Sequence, residues 1–434
     1  MVFSMLSSRF QSEDIQGLGR GAVIAFLVAA VFAGGFLLLK GPGGFRNLDE
    51  QHKIAQHLAN GQGYRTPLSA DADAPYTAWI PPVFPYLLDG VFRAFGVHDM
   101  WQIGQARPAF RFLDGLMALW YGIFVAGVFV LAHMLFGRAT AMLAAAMVCF
   151  NPLFFLRLIY IWETFFSLAL FVWLIVLAVK MNRSRPTVGG LMALGAGLAI
   201  LALTNTSYIL VSPLLVLLAA WRLSWMAMFK PIAISLLTFL VILAPWTIRN
   251  YRVFHQFYLV RAGFPLELWL GNQPGSSGWQ NLNNHPSTTP EEGRRMVEMG
   301  EVEYFKLCGE RFHADYQADP GAFWRRTLRR VGYVFVGPVR GENIKLVEMN
   351  STANLLRVGF DWGLLALGLA GFVLAMRANP RLFWLASITL ISMAGYLFTH
   401  INYRYAMPAR MVVVMFAAFF LAAIWKRLQM RTAT

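Results

Sequence analysis

The sequence predicts an all-α integral membrane protein with about ten transmembrane helices and two long extracytoplasmic loops that contain amphipathic interfacial helices. Hydrophobic residues make up 57% of the 434 positions, and charged residues make up only 14%. A soluble domain carries about 25% charged residues, and single cores stop growing near about 250–300 residues. A soluble fold could not bury this much apolar surface. The apolar residues also gather into runs, and a membrane-spanning helix needs about 20 residues.

Ten apolar runs are the candidates for these helices. They lie at 22–39, 112–135, 139–156, 161–179, 188–203, 208–221, 231–248, 357–376, 381–399 and 406–425. The predicted organisation follows from them. It comprises an N-terminal tail with the first helix (1–39), a first outer loop (40–111), a helical core (112–248), a second outer loop (249–356), and C-terminal helices with a cytoplasmic tail (357–434).

The basic residues predict the orientation. The formal charge of +15 would suggest a nucleic-acid partner in a soluble protein. Here most Lys and Arg lie in short connections between apolar runs, so they indicate topogenic signals and contact with anionic membrane lipids. No nucleic-acid motif is present, and we expect no nucleic-acid partner. Because basic loops stay inside, both termini should be cytoplasmic and the two long loops should face outward from a bacterial inner membrane.

Both outer segments carry helix-start signals, in which a capping residue or a proline precedes an apolar stripe. These signals lie at Asn47 with Glu50, at Pro81–Pro82, at Thr289–Pro290 and at Asp319–Pro320. The pattern predicts helices along the membrane surface.

The predicted spans are poor in ionisable residues, and His133 alone lies well inside one of them. Ion-coupled transporters usually place such residues near mid-membrane. A multi-pass transporter or lipid flippase of cell-envelope precursors is therefore the alternative rather than the preferred function. No metal-binding motif is recognisable, although a divalent metal remains a possible cofactor.

The most informative polar residues are Asp49 and Glu50, two adjacent carboxylates just outside the first span. Carboxylates suit a first helical turn because the helix dipole favours anions there. On that interpretation Glu50 closes a capping box with Asn47, and Asp49 pairs with Lys53. The alternative is that they act as catalytic groups facing the membrane surface.

Several motifs in the same order resemble the GT-C membrane glycosyltransferases, especially the branch containing protein O-mannosyltransferases and lipid A aminoarabinose transferases. The matching stretches are Asp49–Glu50, Gly61–Tyr64, Thr77–Pro85, Glu163–Thr164, Leu201–Pro213, Pro245–Tyr251 with Gly271–Asn272, and His400–Tyr405 with Pro408. They cover most of the chain. Two features depart from the pattern: Asn205 stands where many relatives carry Arg, and no large soluble C-terminal domain follows.

The resemblance implies a sugar donor linked to polyprenyl phosphate and an extracytoplasmic acceptor, which could be a lipid, a glycan or a protein. Asp49 would be the general base, assisted by Glu50, and a direct displacement would invert the anomeric carbon. Arg249 and Arg404 would stabilise the lipid phosphate that leaves.

The lesser candidates for substrate binding are Arg65, Glu163, His400 and Tyr405. Each has an ordinary structural alternative. Arginine and tyrosine at helix ends commonly anchor a protein at the membrane interface, and a polar residue there can simply join the ends of neighbouring spans.

Overall fold

The computed structural model describes residues 13–41, 49–280, 282–338 and 351–432, which are predominantly helical. The α-helices in these ranges are α1 (Glu13–Lys40), α2 (Glu50–Ala59), α3 (Val83–Ala94), α4 (Ile103–Phe136), α5 (Arg138–Cys149), α6 (Pro152–Phe155), α7 (Thr164–Ser184), α8 (Val188–Thr204), α9 (Ser212–Ala220), α10 (Trp225–Phe254), α11 (Phe264–Asn272), α12 (Pro290–Met299), α13 (Glu301–Ala318), α14 (Pro320–Phe335), α15 (Ser351–Ala378), α16 (Phe383–Phe398) and α17 (Tyr403–Thr432). Short 3₁₀ helices lie at Leu156–Ile159, Thr206–Val211 and Pro380–Leu382.

Seven helical segments in the described ranges are long and apolar enough to cross a membrane. They are α1, α4, α7, α10, α15, α16 with its preceding turn, and α17. Arg138–Cys149 and Pro152–Ile159 form a pair bent by 46°, and counting this pair as one broken span gives eight. The chain is therefore a multi-pass integral membrane protein.

The predicted number of ten spans exceeds what the described residues contain. The runs 188–203 and 208–221 fold as Val188–Thr204 and Thr206–Ala220, two apolar helices each shorter than the length of a usual span. Asn205 separates them with an extended backbone (φ −149°, ψ 109°), and its side chain accepts a hydrogen bond from the Ser207 amide. An asparagine that caps the following turn ends the preceding helix.

Most of the spanning helices form two joined groups, while α10 packs against α8 and α9. Helix α4 packs against α1, α5 and α7, while α15 packs against α17, and α17 joins the groups through α5. The outward side chains of α1 are large and apolar, including Val31, Leu38 and Leu39. Such residues are compatible with lipid, where apolar exposure carries no hydrophobic cost.

Several helices extend beyond the predicted apolar runs. Helix α4 begins at Ile103 rather than 112, and α10 continues to Phe254 rather than ending at 248. The reason is that an apolar run marks the bilayer-spanning length and not the full length of the helix. The predicted starts at Thr289–Pro290 and Asp319–Pro320 are observed, but Gly300 (φ +81°) divides the intervening run into α12 and α13.

A charged residue lies inside one of the predicted spans. Arg410 lies within α17, where its guanidinium donates to the Asp361 carboxylate of α15 at 3.0 Å. The two side chains are buried. The expectation that His133 alone lies well inside a span was therefore incomplete, because a sequence does not show which distant carboxylate will neutralise an arginine.

The second outer loop is hydrogen-bonded to the turn between α16 and α17. Residues 278–280 run beside 400–402, with the Ile401 amide donating to the Gly278 carbonyl and the Gln280 amide to the Ile401 carbonyl. Arg330 of α14 is fully buried, and its guanidinium donates to the carbonyls of Gly271, Gly278 and Leu397. These bonds fix the position of α11 relative to the turn around His400.

We expect Gly271→Ala to destabilise this junction. A Cβ at position 271 would lie 1.8 Å from the Thr399 carbonyl oxygen, and backbone cannot swing aside as a flexible side chain can. Overpacking of this kind costs about 1–3 kcal/mol, and occasionally more. Gly309→Ala in α13 is the matched control, because its Cβ would meet only Pro265 at 3.8 Å. Thermal unfolding of the two variants in detergent measures the difference, and equal melting temperatures would contradict the expectation.

Candidate functional site

Asp49 is the N-cap of α2. Its Oδ1 accepts from the Gln51 amide at 3.1 Å and lies 2.8 Å from Nδ1 of His52, while the Asp49 amide faces the same ring nitrogen at 3.4 Å. The capping box is thus closed by His52, and the expected box between Asn47 and Glu50 is wrong on the Glu50 side; Asn47 itself lies outside the described residues. Glu50 occupies the first turn and is half-buried.

The geometry of this cap leaves Asp49 partly accessible. Its side chain is 18% exposed, whereas that of His52 is fully buried. His52 is buried next to Phe110, and its Nε2 has no hydrogen-bond partner among the described residues. The histidine therefore fixes the orientation of a carboxylate that can still be reached from outside.

A second carboxylate reaches the same region through Gln51. Its side-chain Nε2 donates to Oε2 of Glu163 at 2.7 Å, and both side chains are buried. Glu163 immediately precedes α7, so this bond joins the first outer loop to the end of a spanning helix. The two residues lie 112 positions apart in the sequence.

Arg404 completes the group with positive charge. Its guanidinium interacts electrostatically with both Glu163 and Asp49, stacks over Trp162 at 4.4 Å, and donates to the Tyr405 hydroxyl at 2.9 Å. A small cavity opens between α7, the 3₁₀ turn after Asn205 and the start of α17. It is lined by Glu163, Thr164, Ser167, Leu168, Asn205, Tyr208, Arg404 and Tyr405.

His400 lies beside Tyr405. Its ring centre is 5.8 Å from that of Tyr405, and its Nδ1 is 3.6 Å from Oε2 of Glu267 in α11. Burial lowers the pKa of His400 to about 4, so the imidazole is neutral at pH 7. Burial also disfavours charge on Glu267, but the Arg261 guanidinium at 2.7 Å outweighs it and lowers the Glu267 pKa to about 2.

Arg249, near the end of α10, contacts another part of the first outer loop, in which Arg65 also lies. Arg249 donates to the carbonyls of Thr77 and Tyr64, and its guanidinium lies over the Trp246 ring at 4.9 Å. Arg65 donates to the carbonyls of Gln62 and Ala74. Within the part of the chain that the structure describes, neither arginine makes a hydrogen bond or ion pair with Asp49.

A buried carboxylate links the two outer loops close to Arg249. Glu301, at the start of α13, accepts from the Thr77 hydroxyl at 2.5 Å and from the Ala78 amide at 2.7 Å. Burial raises the Glu301 pKa from 4.5 to about 7 despite these two bonds. The residue therefore titrates near neutral pH.

We expect the contact between the loops to weaken as the pH rises. The pKa of Glu301 is higher in the folded chain than in the unfolded one, so its contribution to stability is complete below pH 4.5 and is lost as the pH rises through about 7. The protection factor of the Ala78 amide between pH 4.5 and 8, which corrects for the intrinsic pH dependence of hydrogen exchange, measures this change. Glu301→Gln should abolish the dependence, whereas Glu303→Gln, an exposed neighbour in α13, should preserve it. An unchanged pH profile in Glu301→Gln would refute the assignment.

Sequence reasoning missed several polar partners at this site, namely His52, Gln51, Glu267 and Arg261. His52 carried a recognisable signal, since it stands three residues after the capping Asp49 and the reciprocal partner of a capping box occupies that position. The pair of Arg261 and Glu267 carried no such sequence signal, because their contact depends on the path of the chain between α10 and α11. Among the described residues, no three His, Cys, Asp or Glu side chains come together as metal ligands.

Comparisons with known proteins show the fold. No protein-family model and no curated protein matches the sequence. The structure is similar to the archaeal oligosaccharyltransferase AglB from Archaeoglobus fulgidus, solved with an inhibitory peptide and a dolichol-phosphate. The TM-score is 0.55 at 16% identity, over 95% of this chain and 51% of that one. A second structure of the A. fulgidus oligosaccharyltransferase, tethered to an acceptor peptide containing the NVT sequon, gives 0.53 at 15% identity over 94% and 50%.

The fold of this chain is therefore like that of the part of the archaeal oligosaccharyltransferase that it matches. This chain spans about half the length of the oligosaccharyltransferase that it matches. ArnT from Cupriavidus metallidurans, bound to undecaprenyl phosphate, is a more distant neighbour with a TM-score of 0.36 at 12% identity, over 94% of this chain and 78% of that one.

Proposed function

We propose that the chain is a membrane glycosyltransferase that moves a sugar from a polyprenyl-phosphate donor to an extracytoplasmic acceptor. The observation that supports this most is the grouping of Asp49, Glu163 and Arg404 near the starts of α2, α7 and α17, where the accessible Asp49 carboxylate lies within electrostatic range of the Arg404 guanidinium. The similarity to AglB, whose structure holds a dolichol-phosphate, supports a lipid-linked donor.

Asp49 is the proposed general base. As the acceptor oxygen attacks the anomeric carbon, its proton passes to the Asp49 carboxylate and the bond between that carbon and the lipid phosphate oxygen breaks. Attack opposite the leaving group inverts the anomeric configuration. Glu50 is adjacent but makes no comparable orienting contact within the described residues, so its proposed role is only to add negative charge near the acceptor.

Arg404 is the proposed partner of the departing phosphate. A preorganised guanidinium stabilises charge that develops on a phosphate oxygen, because it pays no reorganisation cost during the reaction. The Tyr405 hydroxyl accepts from the guanidinium, the Glu163 carboxylate stabilises its charge, and neutral His400 can donate to the donor sugar or accept from it. Arg249 and Arg65 are weaker candidates for substrate binding, since their donors already bind backbone carbonyls.

This proposal includes the orientation derived from the basic loops, with both termini inside and the Asp49 group outside. Membranes containing the chain, supplied with radiolabelled polyprenyl-phosphate sugars, provide the test. Label should pass to an envelope acceptor with an inverted anomeric linkage. Absence of transfer from every such donor, or a reporter fused at Thr434 that is found outside, contradicts the proposal.

The competing function is transport of a lipid precursor across the membrane. The buried pair of Asp361 and Arg410 favours it, because intramembrane charges often mark transport pathways. A transporter would move the labelled lipid between the two leaflets without breaking the bond between sugar and phosphate. Analysis of the labelled product separates the two functions in a single assay.

A further inference from the structure

A cavity lies at the end of the helix bundle opposite to the Asp49 group. Helix α7 begins beside Glu163 and contains 21 residues, so its last turn lies about 30 Å from its first, at the other membrane face. The cavity has a volume of about 480 Å³ and is formed by the end of α7, the end of α9 and the start of α10. It is therefore separate from the small cavity around Arg404.

Three arginines line this cavity. Arg183 belongs to the last turn of α7, Arg185 to the connection that follows, and Arg222 to the turn between α9 and α10. Among the described residues that line the cavity there is no aspartate or glutamate. Arg183 and Arg222 lie close enough to repel each other. Folding thus brings like charges together, an arrangement that an anion in the cavity would stabilise.

The start of α10 adds further positive potential to the wall. Ser224 caps this helix by accepting from the Ala227 amide at 3.4 Å, and both residues line the cavity. A helix N-terminus carries a partial positive charge, and the first turn of α10 contains no acidic residue that would offset it. Guanidinium groups and a helix N-terminus are both suited to the oxygens of a phosphate.

The backbone at Arg185 adopts an unfavourable conformation. Its φ is +71° and its ψ is 140°, a combination that glycine adopts readily and other residues rarely. Strained backbone of this kind is often found where a protein holds a ligand. A glycine would suit this position better, so the local fold does not explain an arginine here. Binding by its guanidinium does.

Exposed aromatic side chains beside the cavity indicate that the anion belongs to a lipid. Trp221, Trp225 and Phe229 are 68%, 69% and 63% exposed, respectively. Tryptophan favours the interfacial layer of a bilayer, where its ring contacts both the acyl chains and the headgroups. The cavity should therefore lie at the depth of the headgroups, where basic pockets between helices bind anionic lipids.

A topogenic role accounts for only part of this arrangement. Such a role requires basic residues in a short connection, and it does not depend on where the folded chain later places them. It explains neither the cavity nor the convergence of arginines from two separate parts of the chain. A role in packing is recorded for Arg183, which donates to the Met134 carbonyl of α4.

We propose that Arg183, Arg185 and Arg222 bind the phosphate group of an anionic phospholipid, at the membrane face opposite to the Asp49 group. The phosphate oxygens accept from the guanidinium groups, and the acyl chains lie beside Trp221 and Trp225. The inference does not depend on the proposed transfer reaction.

Native mass spectrometry of the full chain in detergent, with added dioleoyl phosphatidylglycerol, measures the dissociation constant of the first bound lipid. Arg222→Gln should raise this constant about tenfold, the usual effect of losing one charge-assisted hydrogen bond. Arg222→Lys should recover part of the loss, since it keeps the charge without the planar fork. The matched control is Arg377→Gln, an exposed arginine in the last turn of α15, and it should leave the constant unchanged.

Arg185→Gly separates lipid binding from folding. Because glycine suits the backbone at this position, the variant should unfold at or above the parental temperature. Its affinity for phosphatidylglycerol should nevertheless fall by a factor similar to that of Arg222→Gln.

Two further ligands identify the source of the anion. Glycerol 3-phosphate, which has the phosphate group without acyl chains, should displace the lipid only at much higher concentrations, and phosphatidylcholine should bind more weakly than phosphatidylglycerol. Displacement by glycerol 3-phosphate at concentrations comparable with the lipid overturns the lipid assignment. Equal affinity for the two phospholipids, unchanged binding by Arg222→Gln or by Arg185→Gly, or equal weakening by Arg377→Gln overturns the site itself.

Discussion

Replacement of Asp49 by Asn is expected to lower sugar transfer about 10³-fold, the middle of the range for a general base. The substitution should leave the fold unchanged, because asparagine is as good an N-cap as aspartate. The amide oxygen can still accept from the Gln51 amide, so α2 should keep its start. What disappears is the ability to take a proton from the acceptor.

The control for this experiment is Asp73→Asn, an exposed carboxylate in the same outer segment. It should transfer label at the parental rate. Both variants should unfold at the parental temperature. If Asp49→Asn folds and still transfers sugar at the parental rate, Asp49 is not the base, and the role of the carboxylate reduces to capping α2.

Replacement of Arg404 by Gln should reduce kcat/KM for the donor about 10²- to 10³-fold, comparable with the loss of one preorganised donor at a developing oxyanion. The largest part should appear in kcat, because the guanidinium is proposed to stabilise charge that exists fully only after the phosphate begins to leave. Arg404→Lys should recover part of the activity, since it keeps the charge but not the planar fork. Rates measured over a range of donor concentrations separate kcat from KM.

Arg249→Gln provides the contrast. Its guanidinium donates to the carbonyls of Thr77 and Tyr64, so its loss should lower the melting temperature more than it changes the use of donor. The opposite pattern, with normal donor use in Arg404→Gln and impaired use in a stable Arg249→Gln, would reverse the proposed roles of the two arginines.

Sequence patterns located much of what the structure brings together. Asp49 and Arg404 are predicted to lie beside the outer ends of spans, and Glu163 belongs to one of the stretches that carry the family resemblance. Such helix ends meet at the same membrane surface when consecutive helices alternate in direction. The residues that connect the three carry no such signal. Gln51 had no distinguishing pattern, and its bond to Glu163 closes a loop of 112 positions.

Sequence alone also could not show that Arg249 lies apart from Asp49. Arg249 stands at a helix end like Arg404, and sequence alone could not separate them. In the structure the nearby backbone of residues 64–77 offers Arg249 carbonyl acceptors, whereas Arg404 packs against aromatic rings and donates to the Tyr405 hydroxyl. The role of an arginine therefore depends on which acceptors the tertiary packing brings within about 3 Å of its guanidinium.

By itself the sequence determined that the chain is helical, crosses the membrane several times and carries two long polar segments, because hydrophobic periodicity and loop charge are local properties. Tertiary structure alone decided that Asn205 ends a helix within the apolar stretch 188–221, that Gln51 binds Glu163, and that Arg410 is paired with Asp361. These outcomes depend on burial and on hydrogen bonds, several of them between residues far apart in the chain. A buried polar group must find a partner, and only the folded chain determines which partners are within reach.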